Sequence, residues 1–302
     1  MKSSILSFFH SLILSFSFLF ALWGGTEAHA LTYTRQDSLL VVGLLRDGAA
    51  QPEGTNLMLY YGHRLLDVPY VGRTLEVNPV EELVVNLREL DCTTFVETVL
   101  ALTLTTRQGN QGWADYCLTL ETIRYRGGKM NGYTSRNHYF SQWIQSNEAL
   151  GIVSERRGEP DGAHFPFTAV QKIDVHYMSQ HPDRYPMLKG HDEDIAQIRR
   201  YEQEINGQSV RYMPRTLLNR DRKTLGCVED GDILALVTSN DGLDISHVGL
   251  AEWGKDGRLH LLNASSIQMK VVLDEISLYD YMMKYDSRLG IRCMEAKELK
   301  NE

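Results

Sequence analysis

The spacing of apolar residues in the first half of the chain predicts helices. A moderately helical pattern runs from Thr55 to Arg64. Farther on, a helical repeat begins just after Asp91 and continues to Leu104; its apolar members are Phe95, Val96, Val99, Leu100 and Leu102. Asp91 is well suited to cap the first turn. The pattern therefore predicts an amphipathic, core-facing helix with Cys92 in its first turn.

The pattern changes in the C-terminal third, where short β-rich runs are separated by turn-forming clusters. The runs are Ile233 to Val237, His247 to Ala251, Leu259 to Leu262, Lys270 to Leu273 and Gly290 to Met294. They predict an antiparallel meander, so a helix followed by a sheet gives an α+β fold. We expect one domain over residues 31–302, with the segment from about 105 to 225 forming an insertion that shapes the cleft.

The N-terminus has the features of a secretory signal peptide. Lys2 precedes an apolar run from Ile5 to Leu22, and Ala28-His29-Ala30 provides a small-residue cleavage site. A membrane anchor is the alternative, but serines interrupt the run. We expect residues 1–30 to be removed on export to the periplasm or beyond, and no transmembrane segment in the mature chain.

Composition excludes some classes of protein. The net charge of -8, with no long Lys/Arg stripe, argues against a nucleic-acid partner. Four cysteines in 302 residues are too few for a disulfide scaffold. Cys117, Cys227 and Cys293 are expected to be small buried apolar residues, although an exported protein could pair two of them.

Cys92, His247 and Asn263 form a candidate catalytic set. A helix N-terminus favours the reactive thiolate of Cys92. His247 opens a strand after a turn, where it could take the thiol proton and later protonate a leaving amine. Asn263 lies on the next strand and could orient His247, as in other Cys-His-Asn sites. Taken singly, each residue could instead be structural.

Several sequence blocks resemble, in order and type, those of the NlpC-type cell-wall cysteine peptidase superfamily. They are Pro69 to Gly72, Leu90 to Glu97, Gly231 to Ile233, His247 to Gly249 and Leu262 to Ser266. More narrowly, Tyr70 to Leu75, Asp91 to Glu97, Ile123 to Tyr125 and Asp244 to Gly249 resemble a branch whose characterised members are N-acetylmuramoyl-L-alanine amidases. The long interval between Cys92 and His247, Arg73 in place of a common second Gly, and Asn263 in place of a frequent His depart from the superfamily pattern.

The resemblance implies a papain-like core and a peptidoglycan-fragment substrate, with no cofactor. The expected reaction cuts muropeptides, especially those ending in 1,6-anhydro-muramic acid, between N-acetylmuramic acid and L-alanine. Cleavage between γ-D-glutamate and diaminopimelate is the alternative reaction. A non-catalytic cell-wall-binding module is the alternative of another class.

The resemblance also suggests substrate contacts. It implies that Tyr70 lies near the thiol and that the Cys92 backbone N–H donates to the oxyanion. Aromatic faces stack on sugars and Arg binds carboxylates. On that basis the candidate contacts are Arg124, Tyr125, Arg136, His138, Tyr139 and Trp143. An amphipathic helix packed on the core explains these residues equally well.

Two other catalytic classes have weaker support. Four histidines fall close together, yet none has HExxH spacing, so a zinc amidase is disfavoured; they are His164, His176, His181 and His191. Serine hydrolysis would need a G-x-S-x-G elbow, which the sequence lacks. If Asn263 is not the orienting residue, His260 on the same strand is the next candidate, although strand alternation points it to the opposite face.

Overall fold

The computed structural model describes residues 30–157 and 166–297. The predicted signal peptide, apart from Ala30, and His164 lie outside the described residues. The helices are α1 Arg35–Ala49, α2 Leu57–Arg64, α3 Cys92–Arg107, α4 Trp113–Arg124, α5 Phe140–Ala149, α6 Tyr177–Gln180, α7 Asp192–Ile205 and α8 Leu278–Met283. The strands are β1 Leu31–Thr32, β2 Leu83–Val84, β3 Val153–Glu155, β4 Ala169–Lys172, β5 Ser209–Pro214, β6 Ile233–Thr238, β7 Ile245–Trp253, β8 Leu259–Ser265, β9 Lys270–Leu273 and β10 Arg288–Ala296.

Helix α3 begins at Cys92 because Asp91 caps it. The Thr94 backbone N–H donates to Asp91 Oδ1 at 2.8 Å, and the Asp91 backbone N–H donates to Thr94 Oγ1 at 2.9 Å. A cap of this kind stabilises a helix by about 1 kcal/mol. The predicted N-cap is confirmed.

The prediction that α3 is amphipathic is wrong, since the helix is buried on all sides. Every residue from Thr94 to Thr105 is buried. The helix packs against α1, α2 and α4 and also against β7 and β8. Thr98, Thr103 and Thr105 are buried with the apolar residues, and such polar positions obscure the burial in the sequence.

The predicted antiparallel meander is confirmed, and with it the α+β class. Strands β6, β7, β8 and β9 follow one another in the sheet, and β10 returns to pair antiparallel with the free side of β6. On the other side of β10 lie β5 and β3, with β4 paired to β5. The segment between residues 105 and 225 thus adds strands to the same sheet as well as covering it.

Three apolar clusters hold these layers together. One contains α3 with Val248, Leu250 and Leu262 of the sheet, and a second packs α8 against the opposite sheet face. The third lies within the segment between residues 133 and 205 and joins α6 and α7 to the loop around Leu188. That third cluster fixes the loop that forms one wall beside the candidate site.

All four cysteines are free; Cys293 is buried, and Cys92, Cys117 and Cys227 are half-buried. In residues 30–157 and 166–297, no helix has the length and apolar character needed to cross a membrane.

Candidate active site

Cys92 is the first residue of α3, and its thiol lies beside strand β7. The Val248 backbone N–H hydrogen-bonds to the thiol, as do groups of Thr93. Burial, and after it the neighbouring Asp91 carboxylate, raise the pKa of Cys92 to about 12 against these hydrogen bonds. Burial and the cap's own negative charge therefore oppose the stabilisation of a thiolate that a helix N-terminus provides.

His247 lies on β7 immediately after a β-bulge. Leu236 of β6 pairs with His247, whereas Val237 pairs with Ile245, so Ser246 is the extra residue. A bulge bends its strand and re-aims the next side chain. The strand begins at Ile245, two residues before the predicted start, because the bulged residues still pair with β6.

The His247 ring is held by Asn263. His247 Nε2 and Asn263 Oδ1 are 2.8 Å apart. Asn263 Nδ2 donates to Asp274 Oδ2 at 2.9 Å and to the Leu261 carbonyl at 3.2 Å, so its oxygen is the group left to accept. This assigns the proton to His247 Nε2 and leaves Nδ1 as the basic nitrogen. Burial lowers the pKa of His247, which keeps the ring neutral.

Asp274 is a member of this network that sequence reasoning missed. It is buried just after β9, and its second oxygen accepts from Gln268 Nε2 at 2.8 Å. Burial raises the pKa of Asp274, while Asn263 and Gln268 act to lower it. No sequence pattern marks an aspartate at a strand end as an orienting group, because turns commonly contain Asp.

Gly249 provides the space in which Asn263 approaches His247. A Cβ at Gly249 would lie 2.8 Å from the Leu262 carbonyl oxygen and 2.9 Å from Asn263 Cβ. Both contacts are too short for any side chain to relieve by rotating. The glycine of the His-Val-Gly block thus permits the close approach of two strands.

Two tyrosines adjoin the thiol and the imidazole. Burial raises the pKa of Tyr70 to about 12, and Cys92 and Asp91 add to the shift, so Tyr70 lies in the expected neighbourhood. The ring centroids of Tyr281 and His247 are 6.4 Å apart. Burial raises the pKa of Tyr281, and nearby Cys92 contributes in the same direction. Tyr281 was not predicted, since it belongs to the short α8 far along the chain.

The predicted substrate contacts at Arg124 and Tyr125 are wrong, because both side chains are buried with partners of their own. Arg124 Nε donates to Glu97 Oε2 at 2.7 Å, and Tyr125 Oη donates to Glu81 Oε1 at 2.7 Å. The Glu97–Arg124 pair lies in the core between α3 and α4.

Tyr139 and Trp143 are likewise core residues, so their predicted contacts with sugar are wrong. Tyr139 Oη donates to Glu202 Oε1 at 2.8 Å, and Trp143 is fully buried and stacked on Phe140 at 4.7 Å between centroids. A side chain with no exposed surface cannot stack on a sugar. The alternative, a helix packed on the core, describes α5.

Arg136 is also buried, but it lines a cavity of about 180 Å³ that includes Asp91, the residue before Cys92. Its guanidinium is already held by Glu76 at 2.8 Å and by Glu81, so direct contact with substrate is not expected of it. The other polar residues of the cavity wall are Arg73, Glu76, Asp91, Arg184 and Tyr185.

His260, the alternative orienting residue, has a partner other than His247. His260 Nδ1 lies 2.9 Å from the Asp274 carbonyl oxygen, while His247 bonds to Asn263. Across the part of the chain that the structure describes, no three His, Cys, Asp or Glu residues cluster as a metal-binding group.

Comparison with known proteins identifies the family. The model of the AmiA-like family, described as N-acetylmuramoyl-L-alanine amidase-like, matches residues 60–291. An N-acetylmuramoyl-L-alanine amidase from Bacteroides uniformis ATCC 8492 is 36% identical, with a TM-score of 0.74 over 83% of this chain and 100% of that one. A protein from Bacteroides fragilis described as a "putative xylanase" is 41% identical, with a TM-score of 0.71 over 78% of this chain and 99% of that one.

A protein from Legionella pneumophila str. Philadelphia 1 shares the fold at 20% identity, with a TM-score of 0.63 over 87% of this chain and 96% of that one. No curated protein matches the chain. The family match spans every member of the candidate site from Tyr70 to Tyr281, and the chain therefore belongs to the AmiA-like, N-acetylmuramoyl-L-alanine amidase-like family.

Proposed function

We propose that this chain is an exported cysteine amidase that cuts muropeptides between N-acetylmuramic acid and L-alanine, on a papain-like core of the NlpC type. The observation that carries the proposal is the 2.8 Å bond from His247 Nε2 to Asn263 Oδ1, beside a thiol at the start of a helix. The family match and the amidase from Bacteroides uniformis support the bond and substrate class.

The reaction begins from a neutral thiol and a neutral imidazole. As Cys92 Sγ attacks the lactyl carbonyl carbon, His247 Nδ1 takes the thiol proton, and the Cys92 backbone N–H donates to the developing oxyanion. Asn263 accepts from Nε2 of the imidazolium. His247 then gives the proton to the L-alanine nitrogen, the C–N bond breaks, and a thioester remains. Water, deprotonated by His247, hydrolyses the thioester and regenerates the thiol.

A defined muropeptide mixture tests the proposal by mass spectrometry. Wild-type protein should release disaccharide and a stem peptide with a free L-alanine amino group. Cys92→Ala should lower the turnover rate by several orders of magnitude while leaving the fold intact. Cys117→Ala, which removes another half-buried free thiol, is the matched control and should remain active.

Other outcomes would change the assignment. Free diaminopimelate amino ends in place of L-alanine ends would indicate the γ-D-glutamyl-diaminopimelate endopeptidase. Binding of muropeptides without any product would indicate the wall-binding module. Activity in Cys92→Ala would end the cysteine mechanism, and inhibition by EDTA that zinc reverses would indicate a metal enzyme.

We further propose that segment 105–225 closes one end of the cleft and favours small fragments. Arg184 and Tyr185, which belong to this segment, line the same cavity as Asp91. Disaccharide-anhydro-muropeptides should therefore be cut much faster than intact sacculi at equal enzyme concentration. Efficient digestion of sacculi would contradict this proposal.

N-terminal sequencing of the exported protein tests the proposed removal of the signal peptide by cleavage after Ala30.

A further inference from the structure

Arg73 adopts a backbone conformation that is costly for an arginine. Its φ is 65°, in the left-handed region, which glycine enters freely and other residues enter at a cost of about 1 kcal/mol. Among the described non-glycine residues, only Asp67 and Met269 share a positive φ. The Glu76 N–H donates to the Arg73 carbonyl at 3.0 Å and closes this turn. A side chain kept at such a position needs an explanation other than the turn.

Arg73 lines a cavity of about 180 Å³. Asp91 forms another part of the wall, and it immediately precedes Cys92, the first residue of α3. The cavity therefore reaches the start of the helix that carries the proposed nucleophile. Arg184 and Tyr185 line the same cavity from segment 105–225.

The cationic groups of the cavity are not all neutralised. Arg136 is bound by Glu76 and Glu81. Arg184 donates to the Tyr177 hydroxyl and forms no ion pair with a carboxylate within the described residues. Arg73 is exposed and likewise has no carboxylate partner within the described residues. Of the two carboxylates in the cavity wall, Glu76 binds Arg136 and Asp91 caps α3. Two arginines from different parts of the chain thus present guanidinium groups without a carboxylate partner to the same cavity.

We propose that Arg73 and Arg184 form a carboxylate-binding subsite for the stem peptide, on the leaving-group side of the scissile bond. The inference rests on the proposed function. In a muropeptide the lactyl carboxyl is consumed in the amide, so the sugar part carries no charge. The nearest anion is the free α-carboxylate of D-glutamate, one residue beyond L-alanine. Guanidinium groups bind carboxylates through paired, charge-assisted hydrogen bonds.

A matched pair of substrates tests the subsite. One is a disaccharide tripeptide with the free D-glutamate α-carboxylate, and the other carries the same group as an amide. Arg73→Gly removes the guanidinium and suits the left-handed backbone, so the thermal midpoint should not fall. We expect kcat/KM to drop roughly 10- to 100-fold on the carboxylate substrate and to change little on the amide.

Three further variants serve as comparisons. Arg73→Lys keeps the charge but not the paired hydrogen bonds, so on the carboxylate substrate it should lose less activity than Arg73→Gly. Arg184→Ala should show the same substrate-dependent loss as Arg73→Gly. Arg199→Ala, which removes an exposed arginine of α7 outside the cavity wall, should behave like wild type on both substrates.

Equal losses on the two substrates, or no loss on either, would overturn the subsite while leaving the amidase proposal intact. If wild-type protein cuts neither substrate, the proposed function fails. The carboxylate-binding subsite can then still be tested by measuring the binding of the two substrates. Calorimetry with Cys92→Ala should then show tighter binding of the carboxylate substrate than of the amide. Adding Arg73→Gly should abolish that preference, and a preference that persists would overturn the subsite.

Discussion

At the scale of single residues, the position of the His247 imidazole depends on Asp274, which binds Asn263 and does not contact His247 through a hydrogen bond of its own. Asp274 Oδ2 fixes which end of the Asn263 amide faces His247. Asp274→Leu should free the amide to rotate and lower kcat roughly 10- to 100-fold, with KM little changed. Asp274→Asn retains an acceptor oxygen and should lose less. Kinetics of the two variants check this, and a loss equal to that of His247→Ala would mean that Asp274 does more than orient Asn263.

The protonation states of His247 and Cys92 should follow from the burial of both groups. The pKa of His247 is lowered from its ordinary 6.5, and that of Cys92 is raised to about 12. His247 must be neutral to act as the base, so kcat/KM should fall only when the pH drops below 6.5 toward the pKa of the folded state. In the proposed mechanism the active form is a neutral thiol with a neutral imidazole, so no falling limb should appear near pH 8–9.

The pH–rate profile of kcat/KM between pH 4 and 10 measures both limbs. A bell-shaped profile that declines near pH 8–9 would indicate a thiolate–imidazolium pair and contradict this assignment. The stability of the folded protein should change with pH in the same direction as kcat/KM. The lowered pKa of His247 contributes stability that is complete above 6.5 and is lost as the pH falls through the folded-state value.

At the scale of elements, the cap of α3 has two opposing effects on the thiol. Asp91 starts the helix, yet its charge raises the pKa of Cys92. Asp91→Ser keeps a capping oxygen and removes the charge, so the helix should persist while the pKa of Cys92 falls. The rate of Cys92 alkylation by iodoacetamide against pH measures this. Wild-type thiol should react slowly at neutral pH, and an unchanged rate in Asp91→Ser would contradict the effect of the charge.

The contact between β7 and β8 depends on Gly249. Gly249→Ala forces a Cβ against the Leu262 carbonyl and Asn263, so the strands must separate. We expect a destabilisation of about 1–3 kcal/mol together with loss of activity. Gly43→Ala in α1 is the control, because its new Cβ meets open space, and it should be neutral or stabilising. Denaturant unfolding compares the two, and equal stabilities would contradict the close-packing argument.

At the scale of the whole molecule, locally encoded features were predictable and long-range ones were not. The cap at Asp91 and the short β-rich runs of the meander, bounded by turn clusters, depend on residues close in sequence. The adjacency of β7 and β8 followed from the short turn between them, and it led to the pairing of His247 with Asn263. These features together specify the class of the fold and the centre of the site.

The errors arose where distant partners decide the outcome. Arg124 is buried because Glu97, on another helix, neutralises it, and no spacing rule identifies that pair. Strands β3 and β5 join the sheet through β10, which lies at the far end of the chain. The sequence does not indicate whether the aromatic residues of the insertion face the core or the cleft, and for that reason Tyr139 and Trp143 were misassigned.

The position of β10 has a consequence for how the protein reaches its folded state. This strand, Arg288–Ala296, lies between β6 on one side and β5 and β3 on the other. Helix α3 can form as soon as its own residues are available, since its cap and hydrogen bonds are local. The meander of β6 to β9, which carries His247 and Asn263, pairs between strands that are neighbours in the chain and does not depend on β10. Strands β3, β4 and β5 precede the meander in the chain, yet they join its sheet only through β10. Segment 105–225 is therefore synthesised long before its place in the sheet exists, and loop closure over much of the chain should limit the folding rate.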